Sequence, residues 1–191
     1  MFECLREDWR TAQGNILWPG LWVMVVYRFG CWRYRIAWRW LRIPFSLVYK
    51  MAFALVSAAT GAELPCETRV GRRLRIDHSH GIVVSGDASL GDDVILRNGV
   101  TIGLRRTEFR GSPVIGNRVD IGAGAKILGP IRIGDDSVIG ANAVVLTDVP
   151  PHSIAVGIPA KIRPRKSLDP WREECASIQG NSEELRTAKV C

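Results

Sequence analysis

Branched apolar residues recur at every sixth position through much of the chain. Twelve six-residue units can be counted, and the last six run without a break from Ile115 to Pro150. Glycine is the second residue in seven of the twelve units, and the fifth residue is usually small or branched. The units open at Val70, Ile76, Val84, Leu90, Leu96, Ile102, Ile115, Ile121, Ile127, Ile133, Ile139 and Val145.

A period of six fits neither an amphipathic helix nor an alternating strand, but it is the repeat of a parallel β-helix. Each unit predicts a short strand and a corner, in which the branched residue points inward, glycine permits the turn and three units close one triangular coil. The coils are expected to stack at about 4.8 Å around a column of Ile and Val. By analogy with other proteins of this architecture, we expect cyclic trimers with sites between neighbouring prisms.

The segment before the predicted prism, residues 1–62, is basic and rich in tryptophan. No Asp or Glu lies between Trp9 and Ala62, whereas seven Arg and Lys residues do, and these match the formal net charge of +7. Helices are predicted from about Leu21 to Trp40 and from Pro44 to about Ala59, separated at Pro44. The longest uncharged apolar run, Ile16 to Tyr27, is too short to cross a bilayer.

Three interpretations of this segment stay open. An interfacial helix pair would place tryptophans at lipid headgroups and arginines on anionic lipid, which predicts peripheral membrane contact. A helical cap would pack on the end of the prism and on its symmetry mates, and this is compatible with the first interpretation. Nucleic-acid binding would use the same residue types, but the sequence contains no recognition module, so no nucleic-acid partner is expected.

The cysteines and the chain ends bear on the compartment. Five scattered cysteines, odd in number and without a CxxC pair, predict neither a disulfide framework nor a zinc site, which favours a reducing cytoplasm. The start, MFECLREDWR, contains acids and lacks an apolar core, so no signal peptide is expected. Residues 163–191 form a polar tail, either mobile or with a short helix from about Pro170 to Ser177.

Candidate chemistry concentrates in the run IDHSHGIVV, residues 76–84. His78 holds the third place of its unit, an outward corner, and His80 holds the fifth place, where small inward residues are usual. A histidine beside an acid in a cleft can take a proton at neutral pH. The alternative is a structural histidine satisfied by hydrogen bonds. His152 is the third and last histidine of the chain, so candidates for a general base are few.

The same residues carry a family resemblance. IDHSHGIVVSGDASLGDDVILRNGVTIG and, after a loop, IGNRVDIGAGAKILGPIRIGDDSVIGANAVVLTDVPPHSIAVGIPAKI resemble the serine O-acetyltransferase group of the hexapeptide acyltransferases. The match covers residues 63–162 with its motifs in order, and weakly extends upstream through GLWVMVVYRFGCWRY. The resemblance implies an all-β core folded as a left-handed parallel β-helix, with a helical segment before it and a tail after it. It also implies acetyl-CoA as cosubstrate, no metal, and a homotrimer or dimer of trimers.

Position by position, the resemblance implies roles for the residues around His78. His78 matches the catalytic base, and Asp77 matches an acid that contacts the acceptor. Glu63 takes the place of a carboxylate, Asp in the family, that orients the histidine and stabilises its protonated form. Fifteen residues separate Glu63 from His78, close to one coil, so neighbouring rungs are expected.

The coenzyme is expected along the later coils, where glycine and alanine expose backbone amides and leave room for a thread-like ligand. The resemblance assigns the pantetheine slot to the segments 121–126 and 139–143, and the coenzyme phosphates to the neighbourhood of segment 157–162. The candidate residues are Gly122, Ala123, Gly124, Lys126, Ala141, Pro159 and Lys161.

Two departures from the family bear on the acceptor. Gly111-Ser112-Pro113 stands where serine acetyltransferases have Arg-His-Pro, so Ser112 and the neighbouring Arg110 become the candidate acceptor-binding residues. The helical domain is shortened, which leaves Asp8 as a stand-in for its serine-binding acid. Shortened, Arg-rich and Trp-rich relatives resemble enzymes that acetylate sugars of extracellular polysaccharides.

A saccharide hydroxyl, free or lipid-linked, is therefore the expected acceptor, with exopolysaccharide biosynthesis as the setting. Two alternatives remain, a serine O-acetyltransferase of cysteine biosynthesis and a non-catalytic trimeric scaffold. A zinc carbonic anhydrase of the same architecture would need a third histidine at a suitable rung, and the sequence has none.

Overall fold

The structure is a computed structural model, and it describes residues 2–12, 14–106 and 111–165. Three helices precede fourteen short strands in these ranges: α1 Phe2–Thr11, α2 Pro19–Arg33, α3 Arg39–Thr60, β1 Arg69–Val70, β2 Arg75–Asp77, β3 Val83–Val84, β4 Ser89–Leu90, β5 Ile95–Arg97, β6 Thr101–Gly103, β7 Val114–Ile115, β8 Asp120–Ile121, β9 Lys126–Leu128, β10 Arg132–Ile133, β11 Val138–Ile139, β12 Val144–Val145, β13 Ser153–Val156 and β14 Lys161–Pro164. The predicted tail helix lies outside the described residues. The tail was predicted to begin at residue 163, but strand β14 continues to Pro164, because it pairs with β13.

The strands form the three faces of a prism. The first face has the order β1-β4-β7-β10, the second β2-β5-β8-β11-β13-β14 and the third β3-β6-β9-β12. From β1 to β12 consecutive strands lie on successive faces and pair in parallel one coil later. Strands β13 and β14 both lie on the second face, where β13 pairs in parallel with β11 and antiparallel with β14. This arrangement confirms the parallel β-helix that the period of six predicts.

The prism interior is the column of branched residues that the repeat predicts. Ile102, Ile121 and Ile127, which open three of the units, are 0% exposed, and so are Val119 and Ala125 at fifth positions. Full burial of an Ile or Val side chain stabilises a fold by about 1.5–3 kcal/mol, so this column is the main source of stability in the prism.

Glycine at the second position of a unit was predicted to permit a turn, but the structure shows a different reason for it. Gly91 is not in the left-handed region, but a Cβ there would lie 2.6 Å from the carbonyl oxygen of Gly116. At six of the seven second positions successive coils approach too closely for a Cβ, and Gly103 is the exception.

Ladders of side chains tie the coils together at the corner between the first and second faces. Arg73 donates to Asp93 at 2.6 Å, and two coils further along Arg118 donates to Asp136 at 2.7 Å. The guanidinium of Arg73 lowers the pKa of the Asp93 carboxyl, and that of Arg118 lowers the pKa of Asp136. The corner thus alternates in charge along the prism.

The helices differ from the prediction. The chain breaks at residues 34–38, not at Pro44, which lies inside α3. Proline in the second turn of a helix removes only the hydrogen bond to the carbonyl of Trp40 and leaves the first turn intact. The amide of Tyr34 instead closes α2 by donating to the carbonyl of Cys31. Helix α1 was not predicted.

Helix α2 packs on the first coil of the prism. Met24 and Tyr27 are buried, and the hydroxyl of Tyr27 donates to the carbonyl of Thr68 at 2.8 Å. A Cβ on Gly20 would lie 2.5 Å from the carbonyl oxygen of Ile76, so the start of α2 touches strand β2 directly. The prism and the N-terminal segment therefore meet beside the residues that carry the candidate chemistry.

Helix α3 has two apolar faces. Tyr49, Phe53 and Val56 pack on the core, whereas the opposite face is exposed, with Trp40 at 83% and Leu55 at 71%. Within the described residues α3 is the one helix long and apolar enough to cross a membrane. Counting only uncharged residues missed it, because α3 contains two arginines and a lysine.

Candidate active site

The corner that carries His78 is longer than its counterparts in the other coils. Asp77 pairs with Arg97 in register, and Gly81 lies against Gly99. Three residues lie between Asp77 and Gly81, whereas only one residue lies between Arg97 and Gly99 on the next coil. His78 and Ser79 are the two extra residues. The backbone of His78 is left-handed, with φ 55°, and its side chain is exposed.

This insertion corrects the expected place of His80. The inward position belongs to Ile82, which is 1% exposed, while His80 is exposed at the corner. Ser79 turns inward instead, and its buried hydroxyl has no hydrogen-bond partner among the described residues. A strict count of six gave the wrong residue because the corner is two residues longer than the repeat.

Both histidines line a pocket of about 470 Å³ between the prism and the N-terminal segment. Its lining consists of Asn15, Leu17, Trp18, Pro19, Arg75, Asp77, His78, Ser79 and His80. Arg75 donates from Nε to Oδ1 of Asp77 at 2.8 Å, so a cation and an anion lie beside the candidate base. Sequence spacing does not predict that residues 15–19 line this pocket, because they are about sixty positions away from His78.

Glu63 does not contact His78 as the resemblance implied. Its side chain is exposed, its backbone bridges to Val83 on the next coil, and among the described residues no hydrogen bond joins it to His78. Glu63 does lie on a rung next to the coil of His78, as predicted. The long corner, however, places His78 five residues before Val83, the residue that bridges to Glu63.

The residues assigned to the coenzyme do share an edge with the histidines. We call this the histidine edge, the corner between the second and third faces. The amide of Gly99 donates to the carbonyl of His80, that of Gly124 to Asn98, and that of Asn142 to Ala123, each at 2.8 Å. At about 4.8 Å per rung, Ala123 lies about 10 Å from His80 along the prism.

Small residues keep this edge open. Gly81, Gly99 and Gly124 lie on successive rungs with φ of 71°, 70° and 72°, a conformation that favours glycine. Gly122 and Ala141 belong to the same corner on adjacent rungs, where a Cβ on Gly122 would lie 2.5 Å from the amide nitrogen of Ala141. The result is a corner with little side-chain bulk, in which Gly122 is buried, Ala123 and Gly124 are half-buried and Ala141 is exposed; we call it the coenzyme track.

The basic candidates lie at this edge as well. Lys126 is turned along the third face, where Nζ donates to the carbonyl of Gly99 at 2.6 Å and to the hydroxyl of Thr101 at 3.0 Å. Pro159 is exposed in the turn between β13 and β14, and Lys161 is exposed at the start of β14. The amide of Ala160 ties this turn to the third face by donating to the carbonyl of Val144.

Other predicted acceptor residues lie elsewhere. Ser112 donates to the hydroxyl of Ser85 at 3.1 Å, at the corner between the third and first faces, so it shares no edge with His78. Arg110 lies outside the described residues. Asp8 is buried and paired with Arg28 at 3.0 Å. Burial raises the pKa of the Asp8 carboxyl, opposed by the hydrogen bond from Arg28, and this acid does not line the pocket.

A metal centre has no support in the described ranges, where no three His, Cys, Asp or Glu side chains lie close enough to bind an ion. His152 lies at the corner between the first and second faces, 3.9 Å from Asp136.

The chain is similar to known transferases. A family model described as bacterial transferase hexapeptide (six repeats) matches residues 112–147. The serine acetyltransferase of Helicobacter pylori strain 26695 is 41% identical over 158 residues, which cover 82% of this chain and 86% of that protein. The serine acetyltransferase of Mycobacterium tuberculosis is 43% identical over 133 residues, 69% of this chain and 58% of that longer protein.

Solved structures agree. The serine acetyltransferase of Brucella abortus superposes with a TM-score of 0.75 at 28% identity, covering 87% of this chain and 70% of that one. The structure of the same enzyme in complex with coenzyme A gives a TM-score of 0.74 at 28% identity, over 87% and 69% of the two chains.

The fold and the histidine edge define a hexapeptide-repeat transferase built on a left-handed parallel β-helix. The chain belongs to the serine acetyltransferase family, and it is an acetyl-CoA-dependent acyltransferase.

Proposed function

We propose that this enzyme acetylates a hydroxyl group of a saccharide, with His78 as the general base. The observation that carries the proposal is the pocket of about 470 Å³, which holds His78 and Asp77 and opens at the edge where the coenzyme track begins. The acceptor and the thioester would therefore meet at His78.

In the proposed reaction His78 takes the proton of the acceptor hydroxyl as its oxygen bonds to the thioester carbonyl carbon. The carbon–sulfur bond then breaks, and the proton passes from His78 to the coenzyme A thiolate. Asp77 accepts a hydrogen bond from the acceptor through the oxygen that Arg75 does not hold. Glu63 stays a proposed orienting residue, which would need to turn towards His78 when the substrates bind.

The coenzyme is proposed to lie along the histidine edge, with pantetheine on the track of Gly122, Ala123, Gly124 and Ala141. Pro159 and Lys161, exposed at the end of this edge, would lie near the coenzyme phosphates. Lys126 would contact the coenzyme from the side of the third face, because the carbonyl of Gly99 and the hydroxyl of Thr101 hold its ammonium there.

L-Serine is the second candidate acceptor, favoured by the names of the relatives and by the oppositely charged pair Arg75–Asp77 in the pocket. Against serine, Ser112 replaces a residue of the Arg-His pair that the resemblance places on the serine carboxylate. Charge-assisted hydrogen bonds of that kind are worth about 1.5–3 kcal/mol each, and a zwitterion depends on them more than a sugar does.

The test is a mass-spectrometric screen in which acetyl-CoA is offered with L-serine, nucleotide sugars and lipid-linked saccharides. We expect a saccharide to be used at least about tenfold more efficiently than serine, which corresponds to one such lost hydrogen bond. Serine as the best acceptor would contradict the proposal. An enzyme should hydrolyse acetyl-CoA slowly without an acceptor, and His78→Ala should abolish this hydrolysis. A non-catalytic scaffold would show no such hydrolysis in the wild type.

We also propose a homotrimer, as the family resemblance implies, located in the cytoplasm, as the scattered cysteines favour. The placement of Ser112 supports it, because in one chain this residue and His78 lie on the two edges that flank the third face. Contact between them would require a neighbouring chain. A solution mass of three times 21.2 kDa is expected; a dimer of trimers would double it, and a monomer would contradict the proposal.

Peripheral contact with an anionic membrane is proposed through α3. Its exposed apolar face borders a groove of about 300 Å³ lined partly by Arg39, Arg42 and Lys50. Each basic residue near an anionic surface contributes about 1 kcal/mol of binding. Changing the three to Gln should release the protein from vesicles of anionic lipid, while changing Arg105, Arg118 and Arg132 of the prism to Gln should not. Wild-type protein that ignores such vesicles at low salt would contradict this contact.

A further inference from the structure

Trp18 is held firmly against the strand that carries the candidate base. Its indole nitrogen donates to the carbonyl of Ile76 at 2.8 Å, although the two residues are 58 positions apart. The guanidinium of Arg75 lies 5.7 Å from the centre of the indole ring. Pro19 and Gly20 follow directly, and Gly20 touches Ile76. The ring therefore has little freedom to move relative to Asp77 and His78.

Trp18 also divides two spaces. On one side, Trp18 and Arg75 close off a small cavity of about 10 Å³ between α1, α2 and the prism. On the other, the same two residues line the pocket that contains His78. The indole is half-buried, so part of its surface faces the place where an acceptor would lie.

The size and lining of this pocket select a class of acceptor. About 470 Å³ falls in the range of about 300–1,000 Å³ that is usual for small-molecule sites. Around the indole the pocket offers hydrogen-bonding groups on Asn15, Asp77 and His80. A pyranose ring combines an apolar C–H face with a rim of hydroxyls, which matches an aromatic surface surrounded by polar groups. Free serine has no apolar face to place on the indole.

We propose that Trp18 determines the specificity of the enzyme by holding the ring of a saccharide acceptor beside His78. This assignment rests on the proposed saccharide acetyltransferase function. It places acceptor selection in the segment before the prism, in the same chain as the base, in addition to the loop before β7 to which the resemblance assigns acceptor binding.

Steady-state kinetics of Trp18→Ala and Trp18→Phe, with the saccharide that the acceptor screen returns, test the assignment. In Trp18→Ala the acceptor KM should rise about tenfold or more, the effect of losing an apolar contact surface in a pocket. The KM for acetyl-CoA should stay within a factor of about two, since the coenzyme track lies on other rungs. Trp18→Phe keeps an aromatic ring but loses the hydrogen bond to Ile76, so it should fall between Trp18→Ala and wild type.

Trp38→Ala is the matched control, because this tryptophan is 73% exposed and outside the pocket; its kinetics should equal those of wild type. Thermal unfolding of each variant separates loss of binding from loss of fold, and Trp18→Phe serves if Trp18→Ala does not fold.

The outcomes separate the two levels of the proposal. If the wild-type enzyme acetylates no saccharide, the proposed function and the role of Trp18 are both wrong. If the wild-type enzyme acetylates a saccharide and folded Trp18 variants bind it with unchanged KM, the proposed function stands and the role of Trp18 is wrong.

Discussion

The prism and helix α3 contain similar apolar side chains but use them in opposite ways. Inside the prism Ile121 and Ile127 are 0% exposed, because each coil covers the side chains of the next. On α3 the side chains of Trp40 and Leu55 project away from the core. A repeat that closes on itself buries its apolar residues within one chain, whereas the outer face of α3 stays exposed, a feature that is typical of interaction surfaces.

Charge follows the same division. In the prism, arginines alternate with aspartates along a corner, as in the pairs Arg73–Asp93 and Arg118–Asp136. The stretch between Trp9 and Ala62 contains basic residues and no acid of its own. Arg28 and Arg33 pair with acids outside the stretch, Asp8 and Glu67, while basic residues of α3 line an open groove. Prism side chains are thus largely satisfied within the chain, whereas α3 leaves an apolar face and a basic groove exposed.

The largest expected effect concerns the corner where the two regions meet. His78→Ala should lower acetyl transfer by about 10²–10⁴-fold, the usual contribution of general-base catalysis. The melting temperature should not change, because His78 is exposed. Transfer rates and thermal unfolding measured on the same preparation check both parts.

His152→Ala is the control for this experiment, since His152 is exposed at another corner, and it should keep wild-type activity. Glu63→Gln should reduce the rate less than His78→Ala does, because the side chain keeps its size. A greater loss in Glu63→Gln would make Glu63 the direct participant, and near-normal transfer by His78→Ala would exclude the proposed mechanism.

A pair of apolar substitutions tests the contrast between the two regions directly. Ile121→Ala removes a fully buried side chain and should lower the free energy of unfolding by about 2–5 kcal/mol. Leu47→Ala changes a residue that is 61% exposed on α3, and surface changes usually stay within about 0.5 kcal/mol. Denaturant unfolding of the two variants gives both values. Equal losses would mean that the outer face of α3 is covered in solution by another copy of the chain.

The contact between the regions can be disturbed without removing any side chain. In Gly20→Ala the new Cβ would meet the carbonyl of Ile76 at 2.5 Å, and overpacking of this kind usually destabilises by about 1–3 kcal/mol. The acceptor KM should rise at the same time, because Trp18 moves with the start of α2. Gly103→Ala is the control, since its Cβ meets no atom closer than 3.7 Å; a similar loss there would refute the argument.

The smallest effect is expected from the charged corner of the prism. The pKa values of Asp93 and Asp136 are lower in the folded protein than their ordinary value of 3.8. Their contribution to stability is therefore complete above the unfolded pKa and is lost as the pH falls through the folded pKa. The difference in melting temperature between wild type and Asp136→Asn should shrink below about pH 4. A difference that grows in acid would contradict the ion-pair explanation.

The sequence by itself determined the β-helix and most of its inward positions, and it singled out His78 and Asp77 as candidates. The reason is that a short repeat encodes the fold locally, so the position of a residue within its unit determines whether its side chain points inward or outward. The same count of six failed at His80, because His78 and Ser79 make this corner two residues longer than the repeat.

Only the tertiary structure decided where the helices break, that α3 keeps a bare apolar face, and that Glu63 pairs with the rung of Val83. Only the structure brought Trp18 to Ile76 across 58 residues. Contacts of this kind depend on how separate elements pack, and no local pattern specifies which surface a helix covers. The class of reaction was therefore predicted from the family resemblance of the sequence, whereas the pocket beside His78 became visible only when the N-terminal segment packed against the prism.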